Sequence, residues 1–385
     1  MKSMRILVTG ASGYVGSRLV TALLDAGHEV TVAGRDPAKF GAYGWIDRVT
    51  AVLLDAADAD GTAAAVAAAG PVDVLYYLLH GIGEPGFRDA DNAAATHVAQ
   101  AAKAAGVKRI VYLGGFVPDD DSLSEHLASR AEVADALHVD GGPEVVWLGA
   151  AMIIGAGSTS FEMLRYTGDR FVLMPMPKWA RHPMDPISIR DVLHYLLASA
   201  DPDQVPPGSY DICGPATTTY GDLMRTYARL AGNRRARIDV GGIDTAALSW
   251  LTAVGLPIPG GLAADLVASL DYPMTASAHR LSDIVPDPDG GLVGIEDAIS
   301  RSLEPVEPKP VDQLSDPHHL ADTDAEWAGG DALRIQRLAA MVTPAFAHPA
   351  LGLISAVPKP VAGAVRASLD ALDAISGKLG KPGPL

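Results

Sequence analysis

Residues 9–19 read TGASGYVGSRL, directly after the strand-like run RILV at 5–8 and at the head of an alanine- and leucine-rich stretch. Gly10, Gly13 and Gly16 stand at GxxGxxG spacing. Glycines so placed allow a tight turn and a close backbone approach to a pyrophosphate, and the start of the following helix offers unpaired N–H groups and positive dipole to its charge. A glycine triplet alone is weak evidence. The strand, turn and helix context makes it a nucleotide-binding turn.

Working outward, the pattern repeats. Residues 5–10, 28–34, 49–55, 72–80, 108–115 and 144–155 read as six strands. Residues 17–27, 61–70, 89–106 and 126–141 read as helices between them, several ending in glycine. Strand, crossover helix and parallel strand in alternation predict an α/β, Rossmann-like doubly wound parallel sheet over residues 1–154. From Gly155 the rhythm breaks, with loops and prolines, a helix over 189–200 and a strand over 209–214. Residues 155–303 are expected to form a smaller substrate domain that sends elements back to the sheet. The proline-rich stretch opening 304–330 is expected to be an extended linker. Residues 331–385 then form a helical C-terminal extension, in which Val361, Val365, Leu369, Leu372, Ile375 and Leu379 make one stripe. That stripe is expected to dock on the protein's own core or on a partner subunit, so a homodimer is among the expected assemblies.

Bulk properties exclude several functions. The 385 residues are 48% hydrophobic and 20% charged, enough for a substantial core, and carry a formal net charge of −16. Such an acidic chain is not expected to bind nucleic acid, whose phosphates it would repel. Cys213 is the only cysteine, which rules out an internal disulfide and a paired-cysteine zinc site, and no metal is expected. No apolar run reaches the roughly 20 residues needed to span a bilayer. The expected location is the cytoplasm.

The second strand decides the expected cofactor. An NAD site would place a carboxylate at its tip, but Gly34 stands there with Arg35 next, and an arginine can hold a 2′-phosphate through charge-assisted bonds. NADP(H) is expected in preference to NAD(H). Asp55, closing the third strand, could accept from the adenine amino group.

The segments TGASGYVG, GRDP, LLDAAD, AAKAAGVKRIVYLGG and GAGSTSFEMLR resemble the short-chain dehydrogenase/reductase superfamily, in its atypical, extended, NmrA-like branch of NAD(P)-binding proteins. The resemblance covers roughly Met4 to Leu303. It implies a Rossmann sheet with the dinucleotide across the carboxyl ends of the strands and a substrate cleft above the nicotinamide. Implied cofactor contacts are Gly10, Ser12, Gly13, Tyr14, Val15, Gly16, Arg35, Asp55 and Ala56 on the adenine side. Leu79, His80, Gly114, Arg130 and Ala151 lie toward the nicotinamide.

The resemblance also marks a departure. Most members carry a tyrosine and a lysine four apart, with a serine at the end of the fifth strand. Here SEHLASR (124–130) puts His126 in the tyrosine place and Arg130 in the lysine place, and Gly114 and Gly115 replace the serine. An i, i+4 pair shares one helix face, so His126 and Arg130 are the candidate catalytic pair. Arg130 would donate to the ribose, and its fixed charge would hold His126 neutral. His80, Ser158, Trp179 and His182 are candidate substrate contacts, and Met152, Met163, Met174, Met176 and Met184 suggest a lipophilic cleft. The expected function is an NADP(H)-dependent oxidoreductase acting on an apolar carbonyl, enone or quinone-like substrate. The alternatives are a non-catalytic NADP(H)-binding redox sensor and an NAD(P)-dependent epimerase.

Overall fold

A computed structural model of the chain describes residues 2–81, 86–116, 125–171, 173–233, 236–239 and 256–342. The helix expected over 360–379 lies outside them. The six expected strands form as β1 (Arg5–Thr9), β2 (Glu29–Gly34), β3 (Thr50–Leu53), β4 (Val74–Tyr77), β5 (Arg109–Gly115) and β6 (Glu144–Ala150). With the strand Gly208–Ile212 they make one parallel sheet of seven strands, ordered β3-β2-β1-β4-β5-β6 and then Gly208–Ile212. Central strands of such a sheet are covered on both faces, and Val74–Tyr77 is buried at every residue. The edge strand β3 is the opposite case, with Leu53 63% exposed.

The crossover helices are α1 (Tyr14–Asp25), α2 (Ala59–Ala68), α3 (Phe87–Ala104) and α4 (Glu125–Leu137). Gly27, Gly70 and Gly106, just past the first three, take positive φ values of 83°, 76° and 73°, the left-handed turn that stops a helix most cheaply at glycine.

The strand order reverses between β1 and β4, and there the first and fourth strand ends touch. A Cβ at Gly10 would lie 2.6 Å from the Leu78 carbonyl oxygen. Ligands of open α/β sheets bind in this crevice.

Past Gly155 a second core gathers around Phe161, Leu164, Tyr220, Tyr227 and Ile299. It packs α5 (Thr159–Arg170) and α7 (Tyr220–Leu230) with the helices Gly260–Ser269 and Ile295–Ser302. The chain also returns to the sheet, through Gly208–Ile212 beside β6 and through α6 (Ile189–Ser199) against α1. Residues 304–330 pack rather than span free space. Val311 and Ala321 join the core over α1, and the Arg18 guanidinium donates to the carbonyls of Pro317 (2.9 Å) and His319 (2.8 Å). The chain then turns into the helix Gly330–Val342, whose Asp331 pairs with Arg170 of α5.

Candidate functional site

The glycine turn is fixed by its own backbone. Gly10 has φ +71°, the Gly13 N–H donates to the Gly10 carbonyl at 3.0 Å, and any Cβ at Gly16 would collide with that same carbonyl oxygen. Gly13 caps α1 without a side-chain bond, and the first turn holds no acidic residue, so its amides are left for an anion. Ser12 and Gly13 are exposed and Tyr14 and Val15 half-buried. The Tyr43 hydroxyl donates to the Ser12 carbonyl at 2.7 Å and braces the turn. The Tyr14 side chain turns away from this surface. Its ring lies under the Arg18 guanidinium at 4.0 Å, its hydroxyl is buried beside Gly155, and burial raises its pKa.

At the tip of β2, Arg35 is exposed and has no ion pair among the described residues. Asp36 is occupied locally, its carboxylate accepting from the Ala38 N–H at 3.2 Å to cap a short 3-10 helix. Asp55 is likewise tied into a turn, accepting from the Ala57 N–H, although it remains exposed. Ala56 is buried, and its carbonyl meets the His97 ring at 2.8 Å.

Farther along the sheet, Leu79 is half-buried and His80 opens on solvent while crowded by protein elsewhere. That crowding, and then the charge of Arg130, push the His80 pKa down to about 4. The two glycines replacing the serine differ. A Cβ at Gly114 would meet the Trp147 Nε1 at 2.8 Å and the Tyr112 hydroxyl at 2.9 Å, whereas one at Gly115 finds nothing nearer than 3.8 Å. Gly115 is the one that faces the cleft.

Arg130 is only 4% exposed and its Nη2 has no hydrogen-bond partner. A buried guanidinium with a free donor is costly unless a ligand completes it. That orphan donor, with the glycine cradle, fits a dinucleotide whose ribose reaches Arg130. His126 falls on α4 one turn earlier, and its side chain lies outside the described residues.

A cleft opens at the carboxyl ends of β5 and β6. Gly115, Ala150, Ala151 and Met152 form its floor, Met163, Met184, Leu266, Leu270 and Met274 its walls, and Ser160, Tyr220 and Ser269 are the hydroxyl-bearing residues of its described lining. Of the methionines read from sequence, Met152, Met163 and Met184 line it; Met176 packs in the core, and the Met174 side chain is outside the described residues. The four expected substrate contacts are not brought together at this surface. Ser158 begins α5 and donates to the Ile153 carbonyl at 2.8 Å. Trp179 stands behind the cleft, edge-on to Tyr220 at 5.4 Å, and His182 holds the Leu270 carbonyl at 3.1 Å. Tyr220 itself escapes sequence reading. Its one local signal is Thr219, whose side chain caps α7 by accepting from the Asp222 N–H. Among the described residues no cluster of His, Cys, Asp or Glu could hold a metal, and no helix is long and apolar enough to cross a membrane.

Comparison with known proteins agrees with this geometry. The profile of an NAD(P)H-binding family matches residues 10–138. A 3-beta-hydroxysteroid dehydrogenase of Mycolicibacterium neoaurum is 40% identical over 73 residues, 19% of this chain and 18% of that protein. A 3-diazoavenalumate denitrifying reductase of a Streptomyces species is 36% identical over 117 residues, 28% of this chain and 36% of that protein. The chain thus spans well under half the length of either curated relative. A nucleoside-diphosphate-sugar epimerase of Staphylococcus aureus is similar in fold, with TM-score 0.61 and 15% identity, over 77% of this chain and 100% of that one. Residues 10–138 therefore match an NAD(P)H-binding family, in a chain whose fold is similar to that of the solved sugar-nucleotide epimerase.

Proposed function

We propose that the protein is an NADP(H)-dependent oxidoreductase acting on a neutral, apolar carbonyl, enone or quinone-like compound. The observation that carries this reading is the cleft over Gly115 and Met152, whose described lining contains no charged side chain. A nucleotide-sugar substrate brings a diphosphate, which would need cationic partners that this lining does not offer, so the epimerase alternative is disfavoured despite the shared fold. Both curated relatives are named for redox chemistry, one of them on a hydroxysteroid, an apolar molecule of the kind such a cleft accepts.

In this reading the amides at Tyr14 and Val15 hold the pyrophosphate, Arg35 the 2′-phosphate and Arg130 the ribose beside the cleft. When bound, the dinucleotide supplies the hydride. The chain orients the substrate oxygen and excludes water. Burial raises the Tyr220 pKa against a smaller opposing effect of its hydrogen bond with Thr167, so its hydroxyl stays protonated, and exchanging that partner would let it donate to a substrate oxygen in the mostly apolar cleft. Methionine walls adapt to the substrate's shape.

One observation favours a second reading, a dinucleotide-binding sensor without turnover. The serine place at Gly114 is sterically closed and the lysine place is an arginine. Stopped-flow oxidation of NADPH against neutral ketones, enones and quinones separates the two. Turnover with apolar members of the panel, and no binding of UDP-sugars, is the expected result. Tight NADPH binding with no oxidation by any of them would give the sensor reading precedence.

A further inference from the structure

Three buried polar atoms on elements around the carboxyl ends of β4 and β5 have no partner: Asp91 Oδ2 on α3, Arg130 Nη2 on α4 and the Tyr77 hydroxyl on β4. Asp91 is 7% exposed and Arg130 4%. Asp91 is held in place, its Oδ1 accepting from the Gly81 N–H at 2.8 Å, just past His80. Arg130 packs behind Gly115 of the cleft floor, its Cγ 3.8 Å from where a Cβ on that glycine would stand. The two charges feel one another: burial raises the Asp91 pKa and Arg130 opposes that rise. Yet no hydrogen bond or ion pair joins them.

A buried donor and a buried acceptor that sense each other without meeting leave a penalty that a bridging group would relieve. The chemistry of that group is constrained from both sides. A phosphate or carboxylate would satisfy Arg130 and be repelled by Asp91; a cation would satisfy Asp91 and be repelled by Arg130. A neutral hydroxyl both accepts from a guanidinium and donates to a carboxylate, and a vicinal pair does so at two points.

We infer that Asp91 and Arg130 are the acidic and basic halves of a clamp for the hydroxyls of a ribose, the one nearest the cleft in a bound dinucleotide. The inference rests on the dinucleotide reading above and adds Asp91, which neither the glycine turn nor the helix pair on α4 points to. It also links α3, α4 and the turn after β4 to one ligand.

Calorimetric titration of the full chain with matched ligands tests it. NADPH and NADH carry the ribose in question; 2′,5′-ADP and ADP end before it. Asp91→Asn keeps an acceptor for the Gly81 N–H but loses the charge. It should weaken the dinucleotides roughly ten- to hundredfold, the scale of a hydrogen bond to a charged group, and leave the mononucleotides and the melting temperature unchanged. Arg130→Gln should give the same contrast and serves if Asp91→Asn does not fold. Equal loss for dinucleotide and mononucleotide would mean a structural role and overturn the clamp. So would no loss for either, the result expected if the orphan atoms only hold a water. A wild-type protein that bound none of the four ligands would overturn the dinucleotide reading itself, and the clamp with it.

Discussion

Gly114 and Gly115 are neighbours in sequence with opposite tolerances. Gly114→Ala would drive a methyl against the Trp147 ring nitrogen and the Tyr112 hydroxyl, and overpacking of this kind costs about 1–3 kcal/mol, readable as a lowered melting temperature. Gly115→Ser should leave that temperature unchanged, because a Cβ there makes only ordinary van der Waals contact, with the Ala150 carbonyl oxygen and Arg130 Cγ at 3.8 Å. Arg35→Ala should weaken NADP(H) by about 1.5–3 kcal/mol and leave NAD(H) nearly unaffected, the loss of a bond to a charged group. Calorimetry with both cofactors decides this; equal losses would remove Arg35 from the 2′-phosphate site. His80 gives a pH signature. Its folded pKa, about 4, lies below the unfolded 6.5, so the unfolded chain binds more protons in that interval and stability falls as pH drops through it. His80→Gln should flatten that part of the profile of melting temperature against pH.

Among the elements, the segment 304–330 behaves least as its composition suggests. Its prolines argue for an extended spacer, yet it is fastened by a buried hydrogen-bond chain. Ser188 caps α6 by accepting from the Arg190 N–H at 3.1 Å, and its hydroxyl meets His318 Nε2 at 2.8 Å. His318 Nδ1 meets Asp316 at 2.6 Å; since a carboxylate only accepts, that nitrogen carries the proton and Ser188 is left to donate. The order is that of a hydrolytic triad. Here Ser188 and His318 are fully buried and the serine oxygen already caps a helix, so no acyl group reaches it and the chain is a fastener. His318→Ala should lower stability by about 1–3 kcal/mol through the partners it leaves unpaired, with dinucleotide affinity unchanged. Asp316 is depressed below 3.8; burial alone would raise it, but hydrogen bonds from His318 and the pairing with Arg301 outweigh that. Its contribution is therefore present above pH 3.8 and lost below it, and Asp316→Asn should blunt acid unfolding in that lower window, distinct from the window of His80.

At the scale of the whole molecule, one buried ion pair ties the cofactor-side helix to the far end of the described chain. Arg18 and Asp324, 2% and 4% exposed, meet at 2.7 Å. Arg18→Met should cost about 3–5 kcal/mol by stranding Asp324, and adding Asp324→Leu should recover only the part due to the stranded charge, because the Pro317 and His319 carbonyls and the Ala321 N–H stay without their partners. A double mutant no more stable than Arg18→Met would mean the pair is needed for more than neutralising charge. The residues that make this contact announce nothing locally: Arg18 reads as one more helical charge and Asp324 as one more loop acid. By contrast the sheet was fully legible, because parallel strands buried on both faces must be continuous apolar runs and their crossover helices must stop at glycine. The glycine turn was legible for the same reason, since backbone sterics within seven residues dictate it. Local physics of this kind is written in neighbouring positions, so the sequence by itself determined the parallel sheet, the glycine turn at its first crossover and the helix that carries Arg130. Only the tertiary structure decided that Gly115 rather than Gly114 faces the cleft, that Tyr220 and Met274 line it, that Asp91 and Arg130 are both buried with an unpartnered atom, and that residues 304–330 fold back over α1. Each of those depends on which distant surfaces come to exclude water together, and no short-range pattern encodes that.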